Sequence, residues 1–184
     1  MVETVAQIIG FVAMGIAIVS FQQKSQRGII LFQLFSSLLW VINFILLGGI
    51  VGALLNGVGV FRSLVFGNKE KFRAEKVIWV WGFAATYLLM YVLTFTVFGK
   101  EPSAQNLLLE FLPVIGTTCN TIGYYSKKAR TVRLLGLINS PMWLIYDAFA
   151  GSIFGVLTEV FCICSIVIGL WRFDLKKRKE STND

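Results

Sequence analysis

The sequence predicts an all-α membrane protein: seven transmembrane helices, arranged as two parallel triple-helix bundles (3+1+3) joined by linker helix 4. Three observations carry this. Of 184 residues, 56% are hydrophobic and only 15% charged, with a mean hydropathy of +0.73. A soluble domain carries about 25% charged residues, and apolar runs long enough to cross a bilayer fill most of this chain. The basic residues gather in alternate loops. Finally, the stretch Ser36–Asn56 returns a hundred residues later as Asn139–Glu159.

The spans follow in order. The first is expected at Val5–Phe21; it has no basic n-region, carries Glu3 ahead of it and is followed by no A-x-A site, so it reads as a retained span. Gln22–Gly28 holds Lys24 and Arg27, and the second span covers Ile29–Leu47. A Gly48-Gly49 turn leads to the third, Ile50–Phe66. The most charged internal loop, Asn68–Lys76, precedes the aromatic fourth span, Val77–Phe98, which lacks a polar stripe and suits a lipid-facing linker. Gly99–Ser103 holds Lys100, Glu101 and Pro102; the fifth span is Asn106–Tyr125. A basic loop with Lys127, Lys128, Arg130 and Arg133 precedes the sixth, Leu134–Ala150. Gly151-Ser152 turns the chain into the seventh, Ile153–Phe173, and a KKRK-bearing tail follows, disordered at its end by composition.

Seven spans put the 24–27, 69–76, 127–133 and 172–179 charges on one side, and of 17 Lys and Arg only Lys100 on the other. The positive-inside rule then sets the N-terminus outside and the C-terminus in the cytoplasm. Arg62, one turn inside the third span, is expected to snorkel toward the cytoplasmic surface. The net charge of +7 is thereby a topology signal, and nucleic acid is not an expected partner. The expected division is residues 1–67 for the first triple-helix repeat, 68–103 for the basic loop and linker helix 4, 104–173 for the second repeat and 174–184 for the tail.

The repeat is specific. Aligned without gaps, Leu31–Val60 and Leu134–Ile163 share nine identities in thirty. The pairs Trp40/Trp143, Gly48/Gly151, Gly52/Gly155 and Asn56/Glu159 keep their spacing, and Gly10 with Gly116 extends the match if the second copy lost three residues in its first loop. Three spans per unit would invert the second copy; the fourth span restores its direction, so a pseudo-two-fold axis along the membrane normal relates the units.

Trp40 and Asn56 each lie eight residues from the Gly48 turn, hence both about 12 Å below the outer end; Trp143 and Glu159 are level with each other by the same count. The four form one layer near the middle of the membrane if the copies face each other. Polar stripes run through the same spans: Gln33, Ser36, Trp40 and Asn43; Asn56 and Ser63; Glu110, Pro113, Thr117 and Asn120; Ser140, Trp143 and Asp147; Glu159 and Cys162. Each signal has a plainer alternative. The glycines can let helices approach, Asn43, Asn56, Asn120 and Asn139 can hydrogen-bond between helices, and Trp40 and Trp143 can be core packing. Trp79, Trp81 and Trp171 read as interfacial anchors. Glu159 is the strongest functional candidate, because an ionisable group at mid-membrane is costly; it is also the proton-coupling candidate. Glu110 and Asp147 lie nearer the outer surface, as a gate or as solvated groups.

Other chemistry is poorly supported. There is no His, no GxSxG, no Walker motif and no metal-spaced Cys cluster, so no enzyme activity, cofactor or metal is expected. A Glu159–Glu110 carboxylate pair is the one intramembrane alternative. Cys119, Cys162 and Cys164 are odd in number and lie in apolar segments, against a disulfide framework.

The 3+1+3 plan resembles the SWEET sugar transporters and the PQ-loop family. A closer resemblance, over about residues 7–173, is to the YgjV-type bacterial inner membrane proteins. It rests on LPVIGT (Leu112–Thr117), the turn around Trp143–Gly155 and Glu159. The PQ dipeptide is absent, since Val114 follows Pro113, and the first span has no Pro. The YgjV-type resemblance implies a bacterial inner-membrane location, and the SWEET-like one a pocket lined by Trp40, Asn56 and Trp143, with Glu159 in place of a second Asn. Asn43, Asn120 and Asn139 join them as substrate-binding candidates, and Pro113 and Pro141 as hinges. The expected partners are the bilayer and a small polar solute, with homo-oligomers left open. Two rivals to transport remain: a receptor on the seven-helix plan of the KDEL-retention receptors, and a structural membrane subunit.

Overall fold

The computed structural model describes residues 2–47, 50–149 and 153–175. The expected glycine turns at 48–49 and 151–152 and the KKRK run of the tail lie outside these residues. Regular structure among the described residues is helical throughout: α1 (Val2–Ser20), α2 (Gln26–Leu46), α3 (Ile50–Gly67), α4 (Lys69–Phe72), α5 (Ile78–Thr96), α6 (Ala104–Tyr125), α7 (Ala129–Phe149) and α8 (Ile153–Gly169), with a π-helical extension, Leu170–Leu175. Ser25 caps α2 by accepting from the Gly28 N–H at 3.0 Å, and Ser103 caps α6 by accepting from Asn106 at 3.2 Å. The loop expected at 68–76 is thus partly helical: α4 closes on Arg73, which takes the left-handed conformation at φ 49°.

Four helical segments are long and apolar enough to cross a membrane: Val2–Ser20, Gln26–Leu46, Ile78–Thr96 and Ile153–Leu175. Helix α3 carries a further apolar run, Ala53–Gly67, among the described residues. Helices α6 and α7 have 22 and 21 residues, but their polar stripes dilute the apolar surface. The interior confirms the direction of burial. Buried positions include Ser20, Ser36, Asn43, Arg62, Asn120, Arg133, Ser140 and Thr158, whereas Ile8, Phe11, Phe35, Ile45, Leu108 and Ile153 face outward. An apolar exterior, with polar groups buried among apolar ones inside, is not the pattern of a soluble domain.

The helices pack as two consecutive triplets. Helix α2 packs on α1 and α3, and α7 packs on α6 and α8. Between the triplets, α1 meets α8, α3 meets α6 and α2 meets α7, while α5 lies against α6 and α3. The helix starts at Gln26 of α2 and Ala129 of α7 are 103 residues apart, as are Trp40 and Trp143.

This offset corrects the matching of Gly10 with Gly116. The Ser36 hydroxyl donates to the Ala13 carbonyl at 2.9 Å. The equivalent contact in the second triplet is Gly116 against Asn139: a Cβ on Gly116 would stand 3.1 Å from Asn139 Oδ1 and 3.2 Å from its carbonyl. Gly116 therefore corresponds to Ala13. The second connection, 126–128, is shorter than the first, 21–25, because α6 runs on to Tyr125, so no three-residue loss is needed.

Other expectations are also revised by packing. Helix α5 is not purely outward-facing, since Phe83, Tyr87 and Thr94 are buried. Trp79 packs with Phe61, Phe72 and Phe83 at 6.2–6.5 Å and donates to the Phe72 carbonyl at 3.1 Å, so it is a core residue of that end rather than a free anchor. Trp81 and Trp171 are exposed as expected. Arg133 is not a loop residue but fully buried, and Asp174 does not belong to a free tail, because the two form an ion pair of 2.7 Å.

The approach of α8 to the end of α1 depends on Gly169. A Cβ there would lie 2.6 Å from the Phe21 carbonyl oxygen and 2.9 Å from Arg133 Nε. The Phe21 oxygen belongs to the backbone and cannot rotate away. Gly169→Ala is therefore expected to cost about 1–3 kcal/mol through overpacking, read as a lower midpoint in thermal unfolding in detergent. Unchanged stability would mean that α1 and α8 slide apart freely.

Candidate functional site

A cavity of about 180 Å³ lies between the two triplets, with walls from α1–α3, α6–α8 and Tyr87 of α5. Its walls come largely in equivalent positions at the 103-residue offset. Trp40 faces it with Trp143, and Ser37 with Ser140. Ser36 faces it with Asn139 and Gly59 with Cys162, and at four further equivalent positions the second triplet supplies the more polar group: Asn120 for Ala17, Asp147 for Phe44, Thr158 for Leu55 and Glu159 for Asn56. The cavity therefore has a nearly two-fold outline and a one-sided chemistry, acidic along α7 and α8.

Six of the seven substrate-binding candidates line this cavity: Trp40, Asn56, Asn120, Asn139, Trp143 and Glu159. Asn43 does not. Its amide donates to the Ala6 carbonyl at 2.6 Å, beside Gly10, and ties α1 to α2. Pro113 and Pro141 sit inside continuous helices. Pro113 lines a separate cavity of about 30 Å³ with Glu110, Tyr146 and Trp143. Glu110 is ion-paired with Lys100, so it stands apart from Glu159, which lines the larger cavity.

Each polar wall is built by local packing. Ser140 stands in the same lining as Glu159. Asp147 lies so close to Gly155 that a Cβ there would overlap its carboxylate; the glycine leaves room for an acid at this depth. Trp40 packs on Phe44 at 5.8 Å and Trp143 edge-on against Tyr146 at 5.7 Å, which hold both indoles at the wall. Asn120 Oδ1 is buried with no hydrogen-bond partner.

Arg62 is the residue that sequence reasoning misplaced. It does not snorkel: it is 6% exposed and lines the cavity. Its Nη1 donates to Tyr87 Oη at 3.2 Å and to the Thr117 carbonyl at 3.4 Å, and its Cζ stands 4.7 Å above the Tyr124 ring. Tyr87 carried no sequence signal, because the fourth span is uniformly apolar around it. Ser36, Thr117, Ser140 and Asp147 were visible in the polar stripes, and all four line the cavity.

Below the cavity, at the end of the bundle that carries the basic connections, the triplets are joined by hydrogen bonds that cap each other's first helix. Arg133 of α7 donates to the carbonyls of Phe21, at 3.0 Å, and Gln23, past the end of α1. Gln26 of α2 donates to those of Tyr124, at 2.5 Å, and Ser126 at the end of α6. Lys69 of α4 donates to Tyr125 and Ser126, both at 2.8 Å. Donors and positive charge at a helix C-terminus satisfy its free carbonyls and its dipole. The Ser165 hydroxyl of α8 also donates to the Ile18 carbonyl at 2.6 Å and accepts from Gln22 at 2.9 Å.

Burial and, next, the nearby Lys127 charge draw the Lys69 ammonium down from 10.5 to about 8. Between these values a form with Lys69 buried binds fewer protons than one with it free. Raising the pH from about 8 to 10.5 therefore favours the buried form, and that advantage is lost as pH falls through 8. A titration of methyl-labelled lysines is expected to show Lys69 with a midpoint near 8, shifted upward in Lys127→Ala. A Lys69 midpoint in the ordinary lysine range would contradict this packing.

No curated protein and no solved structure matches the chain. The model of one family, Imp-YgjV, described as bacterial inner membrane protein, matches residues 4–177. With its apolar exterior and its four membrane-length apolar helices, this chain belongs to that family of bacterial inner membrane proteins.

Proposed function

We propose that this protein is a SWEET-like transporter of a small polar solute, working by alternating access between two triple-helix bundles. In this reading α1–α3 and α6–α8 are the bundles, α5 is the linker and all seven long helices cross the membrane. The N-terminus is outside and the basic end is cytoplasmic. Support for the spans comes from length: α6 and α7, at 22 and 21 residues, reach about 33 and 32 Å, enough for a hydrocarbon core of about 30 Å.

The observation that carries transport is the cavity itself. Its walls come from equivalent positions of both repeats, as expected where two rocking units share a binding site. Bonds join the triplets at the basic end, and in this reading they close the cytoplasmic side. Rocking would break them and open that side. Uptake into proteoliposomes of labelled sugars, amino acids and small amines tests the reading. Flux of at least one solute, reduced by Trp143→Ala, is expected; no flux across the whole panel would sink it.

A receptor remains the second reading, and one observation favours it. A pocket that receives a carboxylate needs a basic group, and Arg62 provides one inside the cavity. Ligand binding without flux would select this reading.

A further inference from the structure

We propose that the ligand of this cavity is a zwitterion, a small amino acid in the broad sense, held by its ammonium at Asp147 and Glu159 and by its carboxylate at Arg62. This rests on the cavity being a solute site, as argued above, and names what the site takes.

The cavity has two chemical poles. At one, Asp147 and Glu159 stand on the α7–α8 wall with the Trp40 and Trp143 rings in the same lining. Carboxylates accept hydrogen bonds from an ammonium, and indole faces attract a cation. A donor-rich cation satisfies such a wall, whereas an acceptor group would not.

At the other pole stands Arg62. Its bonds go to a phenol and a backbone carbonyl, both neutral, and its Nε has no partner. The ion pairs among the described residues are Lys100–Glu110, Lys127–Glu75 and Arg133–Asp174, and Arg62 is in none of them. A buried guanidinium without an anion is expensive. An incoming carboxylate would provide the missing charge and a bidentate acceptor.

Asn56 is the repeat equivalent of Glu159, and Arg62 lies six residues further along α3, about 9 Å in helical rise. An amine alone would leave Arg62 uncompensated, and an anion alone would meet two acids; a molecule carrying both charges fits both poles.

The test is binding to the purified full-length protein by calorimetry, with γ-aminobutyrate, butylamine and butyrate as probes. γ-Aminobutyrate is expected to bind at least tenfold more tightly than either singly charged probe. Arg62→Gln should weaken γ-aminobutyrate tenfold or more while leaving butylamine unchanged; Glu159→Gln should weaken both amines and spare butyrate. Arg62→Lys, which keeps the charge, should restore part of the affinity and guards against a merely misfolded variant. Equal affinity for γ-aminobutyrate and butylamine, no binding of any probe, or an Arg62→Gln effect that Arg62→Lys shares in full would overturn the proposal. Sugar flux in proteoliposomes without zwitterion binding overturns the zwitterion and leaves transport standing. Zwitterion binding without flux of any solute upholds the site and removes transport.

Discussion

Replacing Arg133 by methionine is expected to destabilise the protein by about 3–5 kcal/mol, the range for removing one partner of a buried ion pair. The side chain is fully buried and bonded to two main-chain carbonyls of the first triplet and to the Asp174 carboxylate. Methionine fills the volume but leaves all three acceptors unpaired, with Asp174 only 13% exposed. The expected readout is a midpoint lower by roughly 10 °C. Two comparisons make the origin visible. Asp174→Asn keeps the two carbonyl bonds and should cost less, about 1–3 kcal/mol. Gln26→Ala removes a neutral capping group at the equivalent end of α6 and should cost about 1 kcal/mol. If all three cost the same, the burial of Arg133 is not what joins the triplets.

The second large effect is expected at Glu159. In the transport reading, Glu159→Gln should lower solute uptake at least tenfold, equivalent to about 1.4 kcal/mol or more, with little change in stability because glutamine keeps the shape of the side chain. The repeat offers a sharper version. Asn56 is the equivalent of Glu159, and Ser37, the equivalent of Ser140, stands in the same cavity. Moving the acid across, as Asn56→Glu with Glu159→Asn, should recover part of the uptake lost in Glu159→Asn alone. Uptake in the double variant no better than in the single would show that the two walls are not interchangeable at one depth.

Much of the helical layout was legible in the order of residues, because the cues are local. The apolar runs expected as spans fall on the long helices, and the basic connections are visible as charge runs. The repeat marked the residues that share the cavity, since helical rise converts sequence spacing into depth. The departures concern direction around the helix axis. Asn43 lies on the same stripe as Trp40 yet turns to Ala6, because α1 crosses α2 there. Arg62 has the same distance from the helix end whether it points to water or to Tyr87.

The sequence alone determined that this is a duplicated, apolar, helical chain, and it singled out Trp40, Asn56, Trp143 and Glu159, which all line the cavity. Periodicity and depth are properties of single helices, set by rise per residue and by the cost of burying charge. Only the tertiary structure decided that Arg62 faces the cavity, that Arg133 and Gln26 cap helices of the opposite triplet, and that the acidic side of the cavity belongs to the second repeat together with a cation from the first. These depend on which neighbour occupies each face of a helix, and a neighbour distant in sequence exerts its steric and hydrogen-bonding influence only once the triplets pack.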